Sequence, residues 1–150
     1  MRPMSIRALA PLMFAALALP AFAEETPLSV RMDGAVALQA SLLAEGTLNE
    51  AQIQVVKDVA HQKAAVLACE GFAIDDARLG GVFQAAYPSD AAFEAMDEEA
   101  QVQMRAVMML VMGTFLGGNL AIAAADTAAW CASAAEEKAQ ADLANRIWAD

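Results

Sequence analysis

The sequence predicts an all-α protein: one small bundle of about five helices, stapled by one disulfide and preceded by a cleavable leader. Three observations carry this. Alanine, leucine and methionine dominate, and no stretch alternates between apolar and polar residues with the period of two that a strand requires. Helix-capping residues recur ahead of apolar runs. Two cysteines, Cys69 and Cys131, stand far apart in the chain.

The leader comes first. Arg2 and Arg7 are positive, and no acidic residue precedes Glu24. The apolar run Ala8–Leu19 has the length of a signal-peptide core and is too short to cross a bilayer. Pro20 breaks the helix, and Ala21-Phe22-Ala23 places small residues at −3 and −1. Residues 1–23 are therefore expected to be a signal peptide cleaved after Ala23, with 24–150 the helical domain; an uncleaved N-terminal anchor is the alternative. No cysteine follows the cut, so no lipidation is expected there. The expected location is outside the cytoplasm, in a bacterial periplasm.

Cleavage would leave 127 of the 150 residues, enough for one domain with one core. All 19 acidic residues and seven of the nine basic ones would remain, a formal charge of −12. Such a chain is unsuited to nucleic acid or to an anionic membrane surface, and suits a soluble protein or a cationic partner. Apolar residues at 59% are too abundant for a disordered chain. In an oxidising compartment an even cysteine count favours a Cys69–Cys131 disulfide. Two buried thiols or an intermolecular bridge are the alternatives. There is no C-x-x-C, hence no thioredoxin-type or c-type haem motif.

The elements follow in order. A first helix is expected from about Ser29 to Ala44, ended by Gly46. Thr47-Leu48-Asn49-Glu50 reads as a capping box opening a second helix from Leu48 to about Cys69, with Gly71 closing it. Val55, Val59, Val66 and Cys69 would line one side of it, with Val56, Ala60 and Leu67 adjoining. Asp75 or Asp76 caps a third helix through Ala86, stopped by Tyr87-Pro88. Ser89 caps a short turn from Asp90 to Met96. A longer helix starts near Glu98, its first turn acidic as the helix dipole favours. Gly117-Gly118-Asn119 is expected to interrupt it, with Asn119 capping a final helix from Leu120 to about Trp148.

Ala106–Ala125 carries no charge over 20 residues, long enough for a membrane span, and contains the G-x-x-x-G of Gly113 and Gly117. Three glycines, Thr114 and Asn119 oppose insertion, and no Lys/Arg cluster or aromatic belt flanks it. A central helix of a bundle is the preferred reading. Met104, Met108 and Met112 recur every four residues along one face, with Met109 beside them. Methionine stripes at helical spacing are core filling; soft Cu(I) ligation by the three thioethers is the alternative. A third reading is a Met-rich face that opens to bind apolar segments of client proteins.

No catalytic constellation emerges, and neither enzymatic activity nor a cofactor is expected. His61 is the sole histidine, with Asp58 three positions before it, in reach for a helical contact but lacking a nucleophile. The acidic pairs Asp75-Asp76 and Glu98-Glu99 sit at helix starts, where capping explains them. Trp130 and Trp148 are expected to anchor the last helix onto the bundle.

Cys69-Glu70-Gly71-Phe72-Ala73-Ile74-Asp75-Asp76 resembles the stretch after the first cysteine in the HdeA-type periplasmic acid-stress chaperones, and the segment from Cys131 to Trp148 is also similar. The resemblance implies a small exported all-helical protein with one disulfide, Cys69 to Cys131, that exposes apolar surface in acid and holds unfolding clients. This chain departs from the pattern in its longer inter-cysteine segment, in the roughly 40 mature residues ahead of Cys69, and in an Ala/Glu-rich rather than Lys-rich ending. The functional expectation is a non-enzymatic exported protein that binds a protein client, another periplasmic protein or an apolar partner. The alternatives are a membrane-associated accessory subunit spanning at 106–125, or the Cu(I)-binding protein with Met104, Met108 and Met112.

Overall fold

In the computed structural model, which describes residues 28–150, six helices follow one another: α1 (Leu28–Ala44), α2 (Glu50–Ala68), α3 (Asp76–Ala86), α4 (Asp90–Glu94), α5 (Glu98–Ala125) and α6 (Thr127–Lys138). The leader and its cleavage site lie outside the described residues. The all-α bundle and the disulfide are as the sequence predicts.

The starts of α2 to α6 are each set by a short polar side chain. Asp75, Ser89, Asp97 and Asp126 each accept a backbone N–H from the first turn of α3, α4, α5 and α6, satisfying donors that would otherwise have no partner. At α2 the capping box is displaced by two residues from its expected place. Asn49, not Thr47, is the cap, accepting from Gln52 N while Gln52 Oε1 accepts from Asn49 N. Gly46 and Gly71 have φ of +74° and +80°, left-handed values that end α1 and α2 where glycine alone is unstrained.

α2 and α5 run in the same direction. Leu48 and Gln52 at the start of α2 flank Met104 near the start of α5, and His61 further along α2 meets Asn119 further along α5. Val56, Val59 and Ala60 bury against Met104, Met108, Val111, Met112 and Phe115. The face of α2 is rotated from the one expected: Val55 and Val66 are only partly covered and Leu67 is exposed. α1 returns antiparallel along α5, with Thr47 beside Gln103 at one end and Val36 beside Gly118 further along.

Two expectations fail at the C-terminal end. α5 runs unbroken through Gly117-Gly118-Asn119 to Ala125. The reason is packing: a Cβ on Gly118 would stand 2.5 Å from Val36 Cγ2, so the glycine gives α1 room to approach rather than breaking the helix. Asn119 consequently sits inside α5 and caps nothing. The final helix is α6, from Thr127 to Lys138, and residues 139–150 form an irregular tail instead of continuing helically to Trp148.

The tail closes the bundle. Asn145, at φ 49°, turns it inward. Ile147 and Trp148 are fully buried, and Trp148 packs with Ala65 and Ala134. The tail pairs antiparallel with 73–75 through Asp75 N–H to Ile147 O (2.8 Å) and Ala149 N–H to Ala73 O (2.9 Å). Gln62, buried in α2, holds it by side chain. Its Oε1 accepts from Ile147 N (2.7 Å) and its Nε2 donates to Asn145 O (2.8 Å).

Arg78 of α3 fastens the tail's end, donating to Trp148 O and to both carboxylate oxygens of Asp150. The hydrogen bond from Arg78, then its charge, hold the Asp150 carboxyl below the usual range; the same bond raises Arg78. A depressed carboxyl stabilises the fold at neutral pH, and that contribution is lost as pH falls through the lowered value. Protection of the Ala149 amide against hydrogen exchange is therefore expected to decline below the ordinary carboxylate range in the native chain. The Asp150→Asn variant should lack that acid step, and a step of unchanged size in it would reject the latch.

Candidate functional site

α5 has two apolar faces with different neighbours. On one, Met104, Met108, Val111, Met112 and Phe115 are buried against α1 and α2. The Met104–Met108–Met112 stripe thus lies in the core, packed among Val56, Val59 and Ala60. The other face points outward yet has the same chemistry. Val102, Ala106, Met109, Leu110, Gly113 and Gly117 are all exposed, at spacings of three and four. Met109 is 70% exposed and Leu110 56%.

α1 carries exposed apolar side chains of its own. Its inward side is made of small residues, Ala40 and Ala44 above all, which keep it close to α5. Its outer side carries Leu38 (64% exposed) and Leu42 (65%), with Leu43 at the edge. The antiparallel register set by the Thr47–Gln103 and Val36–Gly118 contacts brings Leu42 and Leu43 level with Met109 and Leu110. A central helix apolar all round is expected to be covered all round; among the described residues, α5 is covered on one side only. With a mean hydropathy of 1.8 over an 18-residue window and a length of 28 residues, it is the one helix among those described that meets the size and composition of a membrane span.

The second polar feature is His61. Its ring nitrogens face two acceptor oxygens, Asn119 Oδ1 on α5 at 3.1 Å and Glu137 Oε2 on α6 at 2.9 Å. Asn119 Nδ2 in turn donates to Phe115 O, which fixes the amide's orientation. The Trp130 indole packs edge-on against the imidazole, centroids 5.0 Å apart. The expected Asp58–His61 contact does not form: Asp58 accepts from Gln54 Nε2 and Asn145 Nδ2, both at 2.7 Å. The cavity of about 450 Å³ beside His61 is lined by Asp58, Lys57, Gln62 and Asn145 among others, and among the described residues by no serine, threonine or thiol. The cluster ties α2, α5 and α6 together.

Cys69 at the end of α2 and Cys131 in α6 are joined, Cα to Cα 5.6 Å. The acidic pairs behave as helix starts: Asp75 caps α3, and Asp97 caps α5 ahead of Glu98-Glu99. Trp148 anchors the tail rather than a helix, donating its indole N–H to Gln62 O at 2.9 Å. No group of three or more His, Cys, Asp or Glu side chains is arranged to hold a metal ion among the described residues.

Sequence reasoning missed the outward apolar face and the partners of Asn119. The first was visible as a second helical stripe, 102-106-109-113-117, running opposite the methionines. Nothing local marked the second, since His61 and Asn119 are 58 positions apart. Compared with protein-family models, with curated proteins and with solved structures, the chain matches none.

Proposed function

We propose that this chain is an exported, non-enzymatic binding protein that docks an apolar segment of a partner protein on the outward face of α1 and α5. The observation that carries the reading is the exposure of Leu38, Leu42, Met109 and Leu110 together on an otherwise acidic chain. Large apolar side chains grouped on a surface mark interaction sites rather than ordinary solvent-facing positions. The net charge of −10 favours a partner whose apolar segment has basic flanks. The specific version is the acid-stress chaperone that the resemblance around Cys69–Asp76 implies. Protonation of the carboxylates would then swing the chain to positive charge and open further apolar surface.

The test is suppression of aggregation of a reduced, denatured client at neutral pH and at about pH 3, where most carboxylates are protonated. The native chain should suppress it, with dye binding to apolar surface rising in acid. Leu42→Gln/Leu110→Gln, both at exposed positions, should lose most of the suppression while melting like the native chain. No suppression at either pH overturns the binding reading; suppression without a rise in acid overturns only the acid trigger.

The length and hydropathy of α5 favour a second reading, a membrane-associated subunit with α5 as its span. Fractionation separates the two: mature protein released by osmotic shock excludes the span, and protein retained in carbonate-washed membranes establishes it.

A further inference from the structure

Histidine is the one side-chain type that ordinarily changes charge between about pH 5 and 8, and this chain has a single one, His61. Its ring spans two helix interfaces. Nδ1 lies 3.1 Å from Asn119 Oδ1 on α5, and Nε2 lies 2.9 Å from Glu137 Oε2 on α6. Turning the amide over would set its oxygen against Phe115 O, to which Nδ2 now donates at 2.8 Å, so the amide oxygen faces the ring. An ionised carboxylate is an acceptor only. Two acceptors therefore oppose one imidazole, and a neutral imidazole has a single N–H to offer.

Each element around the ring contributes a neighbour. α6 presents Glu137 and, edge-on with centroids 5.0 Å apart, the Trp130 indole; the tail presents Trp148 at 6.5 Å. α5 presents the uncharged Asn119. Asp33 of α1 lines the cavity beside the ring, as do Lys57 and Asp58 of α2. Lys57, the cation among these, lies 4.0 Å from Asp33. Asp58 accepts from Gln54 and Asn145. The pair itself is only partly covered, with the His61 side chain 27% exposed and that of Glu137 33%.

We propose that His61 is a proton-dependent clasp: doubly protonated, it donates to Asn119 and Glu137 at once and pins the C-terminal turn of α6 to α2 and α5. Loss of one ring proton leaves a nitrogen lone pair against an oxygen lone pair at one of the two contacts. The clasp is therefore closed on the acid side of the ring's titration and opens as pH rises through it. What it holds is otherwise lightly held. α6 buries only Ala134 fully, and Glu137 stands one residue before its end at Lys138, where the tail begins. The bridge at Cys131 tethers the first half of α6, so opening frees the C-terminal turn rather than the whole helix. The clasp does not rest on the docking reading above. Combined with it, the clasp implies that mild acid tightens α6, and that release in acid begins only where Glu137 itself takes a proton.

The test is NMR of the native chain from about pH 5 to about pH 9, following the nitrogens of the single histidine ring and the amides of α6. At the acid end both ring nitrogens should carry a proton, and the amides of 135–138 should move along the ring's own titration curve. Their protection against hydrogen exchange, corrected for the intrinsic pH dependence of exchange, should fall about threefold as the ring proton is lost, the scale of a partly exposed ion pair. Glu137→Gln should move the ring's midpoint to lower pH by about half a unit. His61→Gln, polar but unable to titrate, should make the protection of 135–138 independent of pH over this range. A contact that only packs would leave protection flat in the native chain. Amides that ignore the ring's titration, an unchanged midpoint in Glu137→Gln, or the same fall in protection in His61→Gln would each overturn the proposal.

Discussion

Replacing Cys69 and Cys131 together by serine is expected to lower the unfolding free energy by about 4 kcal/mol, read from urea midpoints of the native and variant chains. The bridge closes a loop across 62 positions, and constraining a loop of that size in the unfolded chain has about that worth. Small domains are stable by only about 5–15 kcal/mol, so the loss takes at least about a quarter of the margin. Its site of action is predictable as well. α6 buries only Ala134 fully and otherwise holds the bundle through Trp130, the His61–Glu137 contact and the bridge. Removing the bridge should release α6 first, seen as loss of amide protection in 127–138 before loss in α2 and α5. Equal midpoints with and without the bridge would refute this account.

Trp148→Ala is expected to destabilise by about 4 kcal/mol, the scale of deleting a fully buried aromatic side chain. The indole is completely covered, packs edge-on against Phe72 at 5.1 Å and donates to Gln62 O at 2.9 Å. Trp148→Phe separates the two contributions. It keeps most of the packing and loses the hydrogen bond, so an intermediate loss of about 1–2 kcal/mol should result. Thermal melts and denaturant titrations of both variants check it. A Trp148→Ala chain as stable as the native one would mean that the tail is not part of the cooperative fold.

Both predictions concern residues whose neighbours are far away in the chain, and that divides what was legible in the sequence from what was not. Local chemistry dictated the first half of the fold. Gly46 and Gly71 ended helices as expected, Asp75 and Ser89 capped them, and Tyr87-Pro88 stopped α3. The cap of α2 fell on Asn49 because Gln52, three residues on, completes the box and also donates to Ala86 O, tying the helix start to α3. Thr47 lacks that second partner. Where tertiary contact outweighs local preference, the sequence misled. Gly117-Gly118 has the composition of a break, but the approach of Val36 is what the glycine serves. The Ala-rich tail has helical propensity, yet Ile147 and Trp148 gain more from burial and from Gln62 than a continued helix would give them.

The candidate surfaces divide the same way. The methionine stripe was legible as packing because 3.6-residue periodicity reports burial directly. That the opposite face of α5 is apolar too was written in the sequence; that no described element covers it depends on where α1 lies.

The position of the tail also sets the order in which the molecule can be finished. A polypeptide that emerges N-terminus first, from a ribosome or through a membrane pore, presents α1, α2 and α5 early. The residue that covers Ala65 and occupies Gln62 O is Trp148, which follows all six helices in the chain. Until it emerges, Ala65 and the Gln62 carbonyl of α2 lack their cover. The fold is therefore completed only when the segment behind α6 arrives.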